Sequence, residues 1–439
     1  MSEAVLDRRY AGIAAAGTEL ALVQKSALKK AAWRLVPILT IAYIFNYLDR
    51  TAISFAGLQM NQELGLTATQ FGLAGSMFFY SYTLCEVPSN LALYKFGARL
   101  WIARIMISWG IISTGMAFVY DANSLYAMRL LLGIAEAGFF PGIAYFLSAW
   151  FPREYRSRML AWFLIGIPGS SLIGGPLCTM LLQLDGLFGI AGWKWLFIMV
   201  SLPCVVLGLL VLKLLSDRPE EASWLTREEK DAITGMLAAE TLDRPKSSLL
   251  GAITDIRIII LALVQFGFTL GSYGLGIWMP LILKEYQLSD LAIGFLTVIP
   301  YLFAIIGMLL WAWYADKTGQ KIVNLALACL LGTIGFAAYV VSGSLLISLF
   351  DLTLALIGVT AARGIFWSIP PRLLTGIGAA AGIAFINMIG TSGGGVGPVM
   401  MGALKDATGG FEYGILTMAA IMLITALLAI SLKLAVRHE

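Results

Sequence analysis

The chain has 439 residues, 59% of them hydrophobic and 13% charged, and a mean hydropathy of +0.84; soluble domains carry about 25% charged residues. A soluble globular domain is excluded, and the chain reads as an integral membrane protein whose net charge of +4 points to no nucleic-acid surface. The single histidine, His438, is next to last, which removes zinc-protease, Ser-His hydrolase and haem-ligand chemistry. Cys85, Cys178, Cys204 and Cys329 lie at no metal-site or disulfide spacing.

Residues 1–32 are polar to weakly amphipathic, end in the basic group Lys25, Lys29 and Lys30, and lack a signal-peptide pattern. Twelve apolar runs of spanning length follow: 33–56, 69–94, 100–120, 123–150, 158–184, 194–215, 256–283, 289–315, 321–342, 344–371, 376–404 and 411–436. Lys and Arg set the orientation. One side collects the N-terminal basic group, Lys95, Arg99, Arg153, Arg156, Arg158, Arg218, Arg227, Lys230, Arg244, Lys246, Lys317, Lys321, Arg372, Lys433 and Arg437. The other holds only Lys194, Lys284 and Lys405. Both termini and the charged 216–255 segment are therefore expected in the cytoplasm. That segment carries a helix start, Ser223 or Thr226 before Glu228 and Glu229.

The predicted organisation is a 1–32 cytoplasmic segment, a six-helix bundle over 33–215, a cytoplasmic linker over 216–255 and a second six-helix bundle over 256–439. A shift of 222 residues pairs Leu66 with Leu288, Gly72 with Gly294, Lys95 with Lys317, Gly97 with Gly319 and Arg99 with Lys321. Internal repeats of this kind belong to secondary transporters, whose site lies between the halves near the midplane.

The residues that could carry chemistry are charges inside the spans. A charge at bilayer depth costs at least ~2.5 kcal/mol, so it is retained for a polar cavity or a partner. Asp49 and Arg50 stand side by side in span 1. Arg129 and Glu136 lie seven residues apart in span 4, on one face of a helix. Glu86 lies toward the cytoplasmic end of span 2, where a gate or helix-end contact is the simpler reading, and Arg104 is expected to reach the cytoplasmic surface. Arg363 in span 10 has two open readings: a substrate contact from the second half, or a contact with Asp351 or a backbone carbonyl. Asp49 and Arg50 could likewise form a structural ion pair tying span 1 to span 4. Tyr82, Tyr273, Trp367, Ser368 and Asn387 are polar or aromatic candidates beside them. The run Ser392-Gly393-Gly394-Gly395 lacks the Lys-Ser/Thr of a phosphate loop and reads as close helix packing.

Twelve spans in two halves, with Lys95-Phe96-Gly97-Ala98-Arg99 and Asp316-Lys317-Thr318-Gly319-Gln320-Lys321 between spans 2 and 3 of each half, resemble the major facilitator superfamily. More narrowly, Asn46-Tyr47-Leu48-Asp49-Arg50, Glu86-Val87-Pro88-Ser89-Asn90-Leu91, Gly97 through Met106, Phe366 through Pro370 and Ala381 through Asn387 resemble the anion:cation symporters, in the style of the tartrate, phthalate, hydroxyphenylacetate and rhamnonate transporters. The resemblance implies an all-α integral membrane fold of twelve transmembrane helices in two pseudo-symmetric six-helix bundles. It implies an organic carboxylate as substrate, protons as coupling ion, Asp49 and Glu136 as proton carriers, and Arg129 and Asn387 as substrate contacts. Arg50 and Arg363 join that binding set, and Glu86, Arg99, Asp316 and Lys321 form the gating set. Two positions depart from the pattern: Tyr94 replaces an acidic loop residue, and Ile167-Pro168-Gly169 stands where sugar-acid members place a glutamine. The expectation is a proton-coupled carboxylate importer of a bacterial-type inner membrane, with no cofactor, no metal and no need for more than a monomer. An uncoupled facilitator or exporter of the same fold is the other reading. An enzyme or a ring-lined channel fits poorly.

Overall fold

The computed structural model describes residues 3–240, 255–370 and 378–437, with side chains from residue 20 onward and not at 239–240, 378–381, 384 or 433–437. Arg244, Lys246, Arg372 and His438, and the side chains of Lys433 and Arg437, lie outside the described residues. The first half comprises α1 (Glu3–Glu63), α2 (Ala68–Phe96), α3 (Ala98–Gly115), α4 (Ala122–Glu136), α5 (Phe139–Trp150), α6 (Arg153–Leu164), α7 (Gly166–Leu182) and α8 (Gly192–Leu214). A linker helix α9 (Arg227–Glu240) follows. The second half comprises α10 (Ile256–Lys284), α11 (Asp290–Thr318), α12 (Lys321–Tyr339), α13 (Leu345–Phe366), α14 (Gly378–Thr408) and α15 (Glu412–Arg437). Taking α4 with α5 and α6 with α7 as broken spans, each half has six spans and the fold is all-α.

Three features depart from the sequence reading. Span 1 is part of one helix running from Glu3 to Glu63, because Gln59, Asn61, Gln62 and Glu63 end the apolar run without ending the helix. Span 4 breaks at Ala137 and Gly138, whose φ of 87° no side-chain-bearing residue adopts easily. Span 5 divides at Ile165. The repeat is visible in the backbone: Gly97 stops α2 at φ 89° and Gly319 stops α11 at φ 68°. Both lie in the basic loops that the 222-residue shift superposes.

The halves meet through α2 on α14, α7 on α11 and α1 on α10. Among the described residues, ten helical segments are long and apolar enough to cross a membrane, and α2 and α14 are not among them. These two face each other, so a less apolar sequence costs them little against lipid. Contact is tight at the end carrying the α1–α2 and α10–α11 turns. A Cβ on Gly72 would lie 2.3 Å from the Pro398 carbonyl oxygen, and one on Gly175 would lie 2.4 Å from that of Gly294. Toward the other end, Leu84, Val87, Leu91 and Tyr94 of α2 are all exposed. The close contact between the halves thus lies at the end away from α9.

The linker helix docks on the extension of α1. Glu229 is buried, accepts from Ser26 at 3.1 Å and pairs with Lys30 at 2.7 Å. Burial pushes its carboxyl up, but Lys30, the Thr226 backbone and Ser26 together hold it below the usual carboxylate range. Trp224 stacks on Trp150 at 5.4 Å, and the Arg34 guanidinium lies 5.3 Å from the Trp224 ring centre.

Candidate functional site

The charged side chains of the first half form a compact group around α1 and α4. Asp49 and Arg50 are neighbours in sequence, yet a helix turns ~100° per residue, so they point to different places. Asp49, 1% exposed, points into the bundle. Its Oδ1 accepts from Ser201 Oγ at 2.8 Å and from Ser113 Oγ, and the two serine oxygens lie 2.7 Å apart. This ties α1 to α3 and α8. Arg50 points to the space between the halves. Its Nε and Nη2 both reach Glu136 Oε1, and its guanidinium lies 5.4, 5.3 and 5.1 Å from the rings of Tyr47, Phe78 and Tyr82. The ion pair joining span 1 to span 4 therefore runs from Arg50, with Glu136 as its partner. Three aromatic faces hold the guanidinium in place through cation–π attraction.

Glu136 is fully buried and is the last residue of α4. The carbonyls freed by the break behind it need donors. Arg104 Nη1 donates to Ala135 O at 3.4 Å and Ser89 Oγ donates to Ala137 O at 2.6 Å. Ser89 in turn accepts from Trp101 Nε1 at 3.0 Å. Arg104 also lies flat on Trp101, 4.1 Å from its ring centre. Arg104 was expected at the surface; it is turned inward because the broken helix offers it an acceptor. Ser89, Trp101 and Arg104 are the residues of the Glu86–Leu91 and Gly97–Met106 motifs that hold this break.

Arg129 is 2% exposed. Its Nε donates to the Ala74 carbonyl of α2 at 3.1 Å, and the guanidinium sits 4.9 Å from the Phe78 ring centre. In this structure its guanidinium is engaged with α2. Glu86 is half-buried, within range of the Arg50 charge.

From the second half, the Arg363 guanidinium lies 5.7 Å from the Tyr273 ring centre, and Tyr273 packs edge-on against Phe79 of α2 at 4.5 Å. Tyr47 feels the charges of both Arg50 and Arg363, and Tyr301 feels that of Arg363. One arginine from each half thus borders a group of tyrosines. Asp351, the alternative partner for Arg363, accepts from Ser342. Asn387 lies elsewhere on α14: Gln265 Nε2 donates to its Oδ1 at 3.4 Å. Ser368 Oγ donates to Ile365 O, and Trp367 is 39% exposed with its ring edge-on to Phe366. Of the expected gating set, Asp316 pairs with Lys321 at 2.8 Å, and the Arg99 backbone N–H donates to Asp217 at 2.7 Å.

Sequence reasoning passed over four residues. Ser113 and Ser201 bind Asp49. Tyr301 lines a small cavity between the halves with Thr51, Ser170 and Thr297. Asn46 is 1% exposed, one turn before Arg50, and neither amide atom has a partner among the described residues. An amide at bilayer depth beside a charge is the signal that could have found Asn46; serines on α3 and α8 carry none.

Residues 39–398 match the family model described as Major Facilitator Superfamily. The chain is 45% identical over 407 residues to an Agrobacterium vitis protein named "Putative tartrate transporter", covering 92% of this chain and 91% of that one. It is 38% identical over 407 residues to the "Quinolone resistance transporter" of Acinetobacter baumannii, covering 91% and 93%. In fold it is similar to the inward-facing, occupied structure of a bacterial homolog of the human lysosomal transporter Spinster, with a TM-score of 0.77, 16% identity and coverage of 91% and 96%. The chain belongs to the Major Facilitator Superfamily and is a membrane transporter.

Proposed function

We propose that the chain is a proton-coupled symporter that imports an organic carboxylate across a bacterial-type inner membrane by alternating access, with both termini in the cytoplasm. The observation that carries this reading is the Arg50–Glu136 pair at the edge of the space between the halves. A substrate carboxylate and the Glu136 carboxylate compete for the same guanidinium fork. A proton on Glu136 frees Arg50, whose planar fork then binds the substrate carboxylate bidentately. Proton and anion therefore load together. Arg363 offers the second grip from the opposite half, which favours a substrate with two acid groups; the name of the Agrobacterium vitis relative supports that direction. Asp49 is the second proton carrier in this reading. Its serine partners keep it apart from the substrate, so its role is to set the charge of the bundle interior. Arg129, held on α2, offsets the acids beside it. In this reading the end that carries α9 and the basic loops faces the cytoplasm and the closed end faces outward, which is an inward-facing arrangement.

Uptake into proteoliposomes tests the reading, with and without an imposed pH gradient, over tartrate, succinate and benzoate. Accumulation that follows the gradient and prefers the diacids is the expected result. Equal uptake without the gradient would leave the uncoupled facilitator.

A further inference from the structure

We infer that Asp406 is a latch between the halves: its carboxylate completes the N-terminal cap of α2 and so holds the transporter closed at the end away from α9.

A helix begins with N–H groups that have no partner within the helix. At α2, each of these donors can be traced. Thr67 and Gln70 form a reciprocal capping box, with Gln70 N donating to Thr67 Oγ1 at 3.2 Å and Thr67 N to Gln70 Oε1 at 3.0 Å. Phe71 N donates to the Thr67 carbonyl at 3.0 Å. The N–H groups of Ala68 and Thr69 remain, and both go to the other half of the protein. Ala68 N donates to Asp406 Oδ1 at 3.0 Å and Thr69 N to Asp406 Oδ2 at 2.7 Å. A carboxylate at a helix N-terminus also gains from the helix dipole. Here the anion and the helix belong to different halves.

The approach that lets Asp406 reach is made by glycine. Gly402 lies one turn before Asp406 on α14, and a Cβ there would meet the Ala68 carbonyl oxygen at 2.2 Å. Gly72, one turn into α2, meets Pro398 in the same way. Side chains larger than hydrogen at these two positions would hold Asp406 away from its donors. Rocking of the halves separates these elements when this end opens. The two N–H groups and the carboxylate then pass to water, so the latch acts only on the closed state and biases the conformational equilibrium without touching substrate.

The test reads that equilibrium directly. Spin labels on Tyr120→Cys and Val341→Cys, exposed positions at this end of the two halves, report the separation by double electron–electron resonance, in a Cys85→Ser background. Asp406→Asn keeps the shape but not the two-acceptor carboxylate. Ala68→Pro removes one donor from the α2 side without touching α14, and proline is tolerated in the first turn after an extended residue, as Thr67 is. Each variant is expected to raise the long-distance population about three-fold or more, since charge-assisted hydrogen bonds are the strong ones. The double variant is expected to go no further than Asp406→Asn alone. Unchanged distances in Asp406→Asn would overturn the latch. So would a shift in Asp406→Asn that Ala68→Pro does not share, because the carboxylate would then act elsewhere.

Discussion

The two halves share a fold and bury different things. In the first, Asp49, Arg129 and Glu136 are all at most 2% exposed, with Arg50 joining them at the edge. In the second, among the described residues, Asp351 at 5% exposed is the only buried charged side chain, and it lies near the start of α13, far along the helix from Arg363. The 222-residue shift places Gly271 where the first half has Asp49, and Gly335 where it has Ser113. The helices of the second half use these small residues to close up. A Cβ on Gly335 would lie 2.3 Å from Ala355 N, and one on Gly358 would lie 2.2 Å from Gly332 N. Duplication supplied two bundles. In the proposed mechanism one is the titrating machine and the other a close-packed platform that offers Arg363.

The largest effect should come from striking the titrating half. Glu136→Gln removes the carboxylate that competes for Arg50, and gradient-driven accumulation should fall to background while counterflow exchange persists. Asp49→Asn should also lose accumulation; wild-type ratios in both variants would remove the proton roles together. Next in size is Arg50→Lys, which keeps the charge but loses the bidentate fork, so carboxylate affinity measured by calorimetry should drop about ten-fold or more, ~1.4 kcal/mol. Arg129→Lys separates the arginines: if Arg129 serves the α2 contact described here, its affinity loss stays well below that of Arg50→Lys.

Arg363→Ala probes the platform. It should weaken diacids about ten-fold relative to monoacids, again ~1.4 kcal/mol, as read from competition of unlabelled acids against uptake. An equal loss for all acids would make Arg363 a packing residue. The smallest effect on transport is expected at Gly358→Ala. Overpacking costs roughly 1–3 kcal/mol of stability, so the melting temperature should fall while uptake per folded molecule stays near wild type. A large loss of specific uptake there would show that the second half also flexes.

The spans and the repeat were legible because bilayer thickness forces apolar runs of one length. The charges of the site stood out for the same reason: Asp49, Arg50, Arg129, Glu136 and Arg363 are costly where they lie. Their pairing was not legible. Arg50 and Arg129 are equivalent to a hydropathy argument, and only the packing of α4 against α2 decides that Arg129 meets the Ala74 carbonyl while Arg50 meets Glu136. The break after Glu136 was hidden because a single Gly138 in an apolar run is an ambiguous signal. The motif residues Ser89, Trp101 and Arg104 marked the family, but their work on the freed carbonyls shows only in three dimensions.

The docking of α9 on α1 has a consequence for how the two bundles find each other. With Lys30, Arg34 and Trp150 holding Glu229 and Trp224, the covalent leash between the bundles starts at the end of α9 and runs over residues 241–254. What it supplies is a high effective concentration of one bundle around the other. Two polypeptides cut within 241–254 and produced together should therefore still assemble into a working carrier, at a yield that rises with the amount of each.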